Sequence, residues 1–164
     1  MSEVKEKAMQ AKQVTYHLAT LNSEQKNTAL RMMADKLISE QASIIAANRE
    51  DLKRGQESGL TSSLLDRLAL DEARIESRAE GLRQIAELHD PRGEVLETIE
   101  RPNGLQIKKI RVPIGLIGMI YEARPNVTVD AAGLALKTGN AVLLRGGSSA
   151  LQSNLQIVRV LHDA

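Results

Sequence analysis

An α/β fold is predicted for this chain of 164 residues by three observations. Apolar residues recur at helical spacing through positions 1–90. An Asn-Gly pair, Asn103-Gly104, then separates two apolar runs. From Val112 to Ala150 the chain reads strand, polar loop, helix, strand and glycine loop. The organisation expected is a helical region over 1–90, a β-hairpin over 91–111 and an incomplete βαβα unit over 112–164.

Among the helices, the stretch from Asp71 to Leu88 is the clearest, with Ile75, Ala79, Leu82 and Ala86 on one stripe and Asp71 as the N-cap whose carboxylate accepts a backbone amide. Val4, Ala8, Ala11 and Leu18 predict a first amphipathic helix, and Ala29, Met33 and Leu37 a second. Ile45 and Leu52 predict a third that stops by Gly59, although Gly55 inside it costs about 1 kcal/mol against alanine. Pro91 and Gly93 break the helical pattern. Val95, Leu96 and Ile99 form one strand and Leu105, Ile107 and Ile110 the next, joined at Pro102-Asn103-Gly104 by a turn whose two central residues take positive φ. This hairpin is a candidate linking element, oligomer contact or plain surface feature.

Ile114 to Tyr121 is nearly continuous in apolar residues, as a parallel strand buried on both faces requires. A helix from about Val127 to Thr138 is closed by Gly139 as its αL residue, and Asn140 to Arg145 supplies the second strand. Ser149-Ala150-Leu151-Gln152 has the spacing of a capping box, and Leu151, Leu155 and Val158 are expected as the buried stripe of the last helix. If the sheet stops at this second strand, its apolar edge is unpaired, and the isolated chain is expected to be marginally stable or prone to self-association.

Composition removes several function classes. No apolar run approaches the roughly 20 residues of a bilayer-spanning helix, and the acidic, polar N-terminus lacks a signal-peptide pattern, so a cytoplasmic protein without membrane association is expected. A net charge of +1, two tyrosines and no Trp or Phe give neither a field for a polyanion nor a stacking platform, which argues against nucleic acid as a partner. With no cysteine there is no disulfide, no thiolate metal site and no thiol nucleophile. His17, His89 and His162 have no ligand-like spacing, so no metal site is expected.

Ligands of open α/β sheets bind beyond the carboxyl ends of the strands, which here carry the loops Glu122–Asn126 and Gly146–Ser149. Both run into helix N-termini, whose free amides and dipole favour anions. Arg145, Gly146, Gly147 and Ser148 offer a guanidinium, close backbone approach and a hydroxyl; the bland reading is a tight turn with a helix cap and a solvated arginine. Asn126, after Pro125, can present its amide to a developing oxyanion or simply cap the helix. Arg124 can hold a carboxylate or phosphate, or pair with Glu122 or Asp130. Neither a GxGxxG nor a Walker sequence is present.

VPIGLIGMIYEARPNVTVDAAGLALKTGNAVLLRGGSSA resembles the aldehyde dehydrogenase superfamily, in which a P-x-G-V-x-x-I strand leads to an asparagine loop, a helix ending in G-N, and a second strand with a lysine-containing turn. Within it, YEARPNVTVDAA and LLRGGSSA resemble the gamma-glutamyl phosphate reductase family, also called glutamate-5-semialdehyde dehydrogenases, and AANREDL and LLDRLAL extend the similarity to the helical region. The resemblance implies that the last unit is an incomplete Rossmann-like βαβα unit of the aldehyde dehydrogenase fold. It also implies an NADP-dependent oxidoreductase of proline biosynthesis, converting γ-glutamyl phosphate to glutamate 5-semialdehyde through a cysteine thioester.

Carried over by position, Asn126 matches the superfamily oxyanion asparagine. Arg145 stands at the lysine that contacts the adenosine end of the cofactor, followed by Gly146, Gly147 and Ser148. Ser148 replaces a glutamate that often accepts the ribose hydroxyls, a change that favours NADPH over NADH. Arg124 is the candidate substrate-binding residue. The nucleophilic cysteine and the rest of the nucleotide and catalytic domains are implied to follow Ala164 in a complete member, so the chain alone is expected to be inactive. Homo-oligomerisation or association with a glutamate kinase is the partnership considered, beside the small-molecule substrate. The alternatives are a non-catalytic interaction module, half of a split enzyme, or a fragment of another acyl-phosphate or aldehyde dehydrogenase.

Overall fold

The computed structural model describes residues 2–164. Helix α1 (Glu3–Leu18) is capped by the Ser2 side chain, and α2 (Ser23–Ser39) by a reciprocal Asn22/Gln25 box with both bonds at 2.9 Å. Helix α3 spans Gln41–Glu57, with Gly59 beyond its end at φ +78. A seven-residue helix, α4 (Ser62–Leu68), has Thr61 as its cap and was not singled out by spacing. Helix α5 (Glu72–Glu87) begins as the sequence predicts, with Asp71 accepting the Arg74 amide at 2.7 Å and Ile75, Ala79, Leu82 and Ala86 all buried.

Gly55 lies inside α3 for a packing reason. A Cβ there would stand 2.9 Å from Leu60 Cδ1 and 3.0 Å from Leu65 Cδ2, so glycine lets the α3–α4 connection fold against the helix. The buried face of α3 is Ile44, Asn48, Asp51 and Gly55, while Ile45 and Leu52 lie only partly buried at its flank. Val4 is likewise exposed on α1, whose single buried side chain is Thr15.

Strands β1 (Val95–Glu100) and β2 (Gln106–Ile110) form the antiparallel hairpin, with a register irregularity between Val95 and Glu97. Its turn differs from the expected one. The Gly104 amide donates to the Arg101 carbonyl at 2.9 Å, and the Arg101 amide to the Leu105 carbonyl at 2.9 Å. Gly104 has φ +84, whereas no non-glycine residue among those described has positive φ. Pro102 fixes φ at the second turn position and favours a type I turn followed by one αL glycine, so Asn103 stays at negative φ. Asn103 instead accepts the Leu105 amide through its side chain at 3.2 Å.

Strand β3 (Leu116–Ile120) pairs in parallel with β4 (Ala141–Arg145), in register from Leu116↔Ala141 to Ile120↔Arg145. Helix α6 (Pro125–Lys137) makes the crossover, ending at Gly139 with φ +74 as expected. The Asn140 Oδ1 accepts the Gly115 amide at 2.8 Å, and the Gly115 carbonyl accepts the Ala141 amide at 2.9 Å, which fixes where β3 starts. The expectation that β3 is buried on both faces is not met. Gly118, Met119 and Ile120 are exposed, Ile120 by 86%, because among the described residues the sheet holds two strands and β3 has no strand on its other side.

Helix α7 (Leu151–His162) corrects two further expectations. Leu151, Leu155 and Val158 are exposed, and the buried side is Ser153, Asn154, Ile157 and Val160. The helix also has no side-chain cap of its own; Ser148–Ala150 is a 3₁₀ turn and Ala150 occupies the cap position. Asp51 of α3 does that work, its carboxylate accepting the amides of Gln152 at 3.2 Å and Ser153 at 2.7 Å and the Ser153 hydroxyl at 2.7 Å.

One hydrophobic cluster joins Leu30, Leu37, Ile44, Ile75 and Leu82 to Val129, Ile157 and Val160, so the helical region and the crossover helices share a core. Beside it, Lys26 is fully buried, 2.5 Å from Asp90 and donating to the Lys137 carbonyl at 3.0 Å. Burial pushes the Asp90 carboxyl up, but hydrogen bonds from Lys26, the Arg92 amide and Ser23, with the Lys26 charge, outweigh it and hold it below its ordinary 3.8. A depressed carboxyl contributes stability that is present above the unfolded value and lost as pH falls through the folded one. Asp90→Asn should therefore flatten the loss of melting temperature on acidification below pH 3.8, measured by circular dichroism. An unchanged acid slope would contradict this.

Candidate functional site

The parallel register brings the two sequence-predicted loops to one edge. Ile120 and Arg145 are paired, and the Tyr121 amide donates to the Arg145 carbonyl at 3.1 Å, so both loops leave adjacent carboxyl ends of β3 and β4. They also lie side by side: a Cβ on Gly147 would stand 3.3 Å from the Ala123 amide nitrogen and the Glu122 carbonyl carbon. Asn126, Arg124, Arg145, Gly146, Gly147 and Ser148 thus belong to a single edge of the molecule.

Asn126 is the second residue of α6, behind Pro125 at the first turn, and Arg124 holds the cap position without a side-chain cap bond. The capping alternative for Asn126 is therefore not what the fold uses. Asn126 is half-buried, and its Oδ1 is sealed from solvent with no hydrogen-bond partner among the described residues. It lines a void of about 10 Å³ together with Leu37, Ile44, Ile157 and Arg78, whose Nε is also buried and unpartnered. Arg78 Nη1 pairs with Asp130 at 3.2 Å, which takes Asp130 away from Arg124. Arg124 is exposed, its amide donating to the Glu122 carbonyl at 2.8 Å.

Arg145 is exposed and its Nη1 folds back onto the Gly146 carbonyl at 2.6 Å. Ser148 is exposed at the start of the 3₁₀ turn. The anion-favouring ends of the two helices are less open than the sequence suggests. Asp51 already occupies the N-terminus of α7, and Pro125 removes one donor from that of α6. An anion at this edge still meets the loop amides, the Ser148 hydroxyl and the guanidinium groups of Arg124 and Arg145.

Sequence reasoning missed a buried polar line beneath the loops. Tyr121 Oη lies 2.6 Å from Thr128 Oγ1, which donates to Asn154 Oδ1 at 2.9 Å; Thr128 is fully buried and Asn154 is 9% exposed. Only the helical spacing of Thr128 and the inward position of Asn154 relative to Ile157 could have signalled it. Among the described residues no cluster of three or more His, Cys, Asp or Glu side chains is placed to hold a metal, and no helix is long and apolar enough to cross a membrane.

The helical layer, hairpin and parallel unit with its two loops at the strand tips are those of an aldehyde dehydrogenase-type fold. A probable aldehyde dehydrogenase of Listeria monocytogenes EGD-e matches 98% of the chain with a TM-score of 0.67 at 14% identity, a likeness of fold alone. No protein-family model matches the chain. Over its whole length the chain is a homologue of the N-terminal part of gamma-glutamyl phosphate reductases. It is 54% identical over 162 residues to the gamma-glutamyl phosphate reductase of Halalkalibacterium halodurans, covering 99% of this chain and 39% of that protein. Crystal structures of gamma-glutamyl phosphate reductases match 99% of the chain, from Thermotoga maritima with a TM-score of 0.97 at 44% identity and from Saccharomyces cerevisiae with 0.93 at 32%. The chain covers 39% and 42% of those two structures, and about 40% of the length of the curated relatives it matches.

Proposed function

We propose that the chain supplies the adenosine end of the NADPH site and the oxyanion donor of a reductase that converts γ-glutamyl phosphate to glutamate 5-semialdehyde, in proline biosynthesis in the cytoplasm. The observation that carries this reading is the shared edge at which Ile120 pairs with Arg145 and Gly147 meets Glu122–Ala123, within a chain 54% identical to named reductases. In that role Arg145 and Ser148 take the ribose phosphate, with Gly146 and Gly147 allowing its close approach. Because a planar amide holds its oxygen and nitrogen apart, the inward Oδ1 of Asn126 leaves Nδ2 for the oxyanion. Arg124, unpartnered by Asp130, takes the substrate's charged end.

The cofactor supplies hydride, and these residues bind and orient. The chain has no cysteine, so the thiolate must come from elsewhere, and the chain alone is expected to be inactive. Val95, Leu96, Ile107 and Ile110 leave the hairpin apolar and exposed, a surface that suits a second copy of the chain or a glutamate kinase. NADPH oxidation with γ-glutamyl phosphate, measured for the chain alone and after adding the remaining portion of a reductase, tests the reading. Turnover only in the mixture is expected. Turnover by the chain alone, or none in a mixture shown to associate, would overturn it.

A further inference from the structure

The buried line below the loops has a direction. Thr128 has one hydroxyl proton and gives it to Asn154 Oδ1, so the 2.6 Å contact with Tyr121 is satisfied when the tyrosine hydroxyl donates. Tyr121 on the β3 side, Thr128 on α6 and Asn154 on α7 are thereby joined in one sense, with the carboxamide oxygen of Asn154 on Thr128 and its Nδ2 turned toward Gly146. Its Nδ2 meets no acceptor among the described residues, although the side chain belongs to a residue only 9% exposed. That nitrogen lies against Gly146: a Cβ there would collide with it and cover it, and would stand 3.2 Å from the Tyr121 ring end. The loop thus keeps a glycine where any side chain would close off an oriented amide donor. Among the described residues no carboxylate is hydrogen-bonded to it, and Asp51 is engaged with Gln152 and Ser153.

We propose that Asn154 is a further nucleotide-binding residue, its Nδ2 donating to a phosphate oxygen of the cofactor at the Gly146–Gly147 loop, with Tyr121 and Thr128 as the positioning residues that fix the amide. The proposal rests on the nucleotide-site reading above. It is tested on the chain labelled with nitrogen-15 and titrated with NADPH and with NADH. Wild type should show the Asn154 side-chain amide signals moving more with NADPH than with NADH. Asn154→Ala should weaken NADPH binding about tenfold, the loss expected of one hydrogen bond to a charged group. Thr128→Val should reduce the preference for NADPH over NADH, and Thr128→Ser should restore it.

Circular dichroism shows which variants are folded, and Thr128→Val carries the test if Asn154→Ala is not. A folded variant that binds NADPH as wild type does overturns the role of Asn154 and leaves the nucleotide site standing. Failure of NADPH to move any signal of Arg145, Gly146 or Asn154 in wild type overturns both.

Discussion

Asp51→Ala is expected to lower the unfolding free energy by roughly 3 kcal/mol, the lower end of the cost of breaking a buried charged contact. The Asp51 carboxylate is fully buried, is shared with Arg54, and receives two backbone amides and a hydroxyl from α7. Removing it leaves the first turn of α7 with unpaired donors and deprives Ser153 of its acceptor. Asn48 then loses its footing too, because it donates to Ser153 Oγ at 3.0 Å and to the Leu68 carbonyl at 2.8 Å while accepting the Leu70 amide at 2.8 Å. The melting temperature should fall by roughly 6–12 °C for a chain of this size. Urea denaturation gives the free energy, and a change below about 1 kcal/mol would mean that water replaces the carboxylate at little cost.

The second large effect concerns chemistry. In the chain combined with the rest of a reductase, Asn126→Ala should lower kcat by about 10²–10³, as loss of one oxyanion donor does elsewhere, while KM for NADPH changes little. Only a small stability change is expected, since the Oδ1 removed is buried without a partner and its loss relieves an unsatisfied group. Steady-state kinetics with γ-glutamyl phosphate separate the two parameters. A variant whose kcat stays within about threefold of wild type would remove Asn126 from the oxyanion role.

The residues that made the fold readable are those whose neighbours lie close in sequence. Asp71 caps its own helix, Gly139 ends its own, and the apolar runs of β3 and β4 sit on either side of one crossover, so local spacing sufficed. The resemblance carried the rest of the architecture, and the named relatives bear it out. Expectations failed where a distant group replaced a local one. Ser149 has the spacing of a capping box, yet Asp51, from another helix, binds the amides of α7. Leu151, Leu155 and Val158 look like a buried stripe, but polar Ser153 and Asn154 go inside because Asp51 and Thr128 await them there. Hydropathy ranks those serine and asparagine positions as surface, and only tertiary hydrogen bonds reverse the ranking. At the candidate site, the sequence located both loops but not the buried Tyr121–Thr128–Asn154 line beneath them.

Gly147 lies so near the Glu122–Ala123 backbone that a side chain there would press the two strand tips apart. Under the proposed function, a dinucleotide would meet two tips already placed side by side, and bringing them together would take none of its interaction free energy. The distance between the atoms that would grip the cofactor and the amide that would face the acyl carbon is then inherited from the register of β3 on β4.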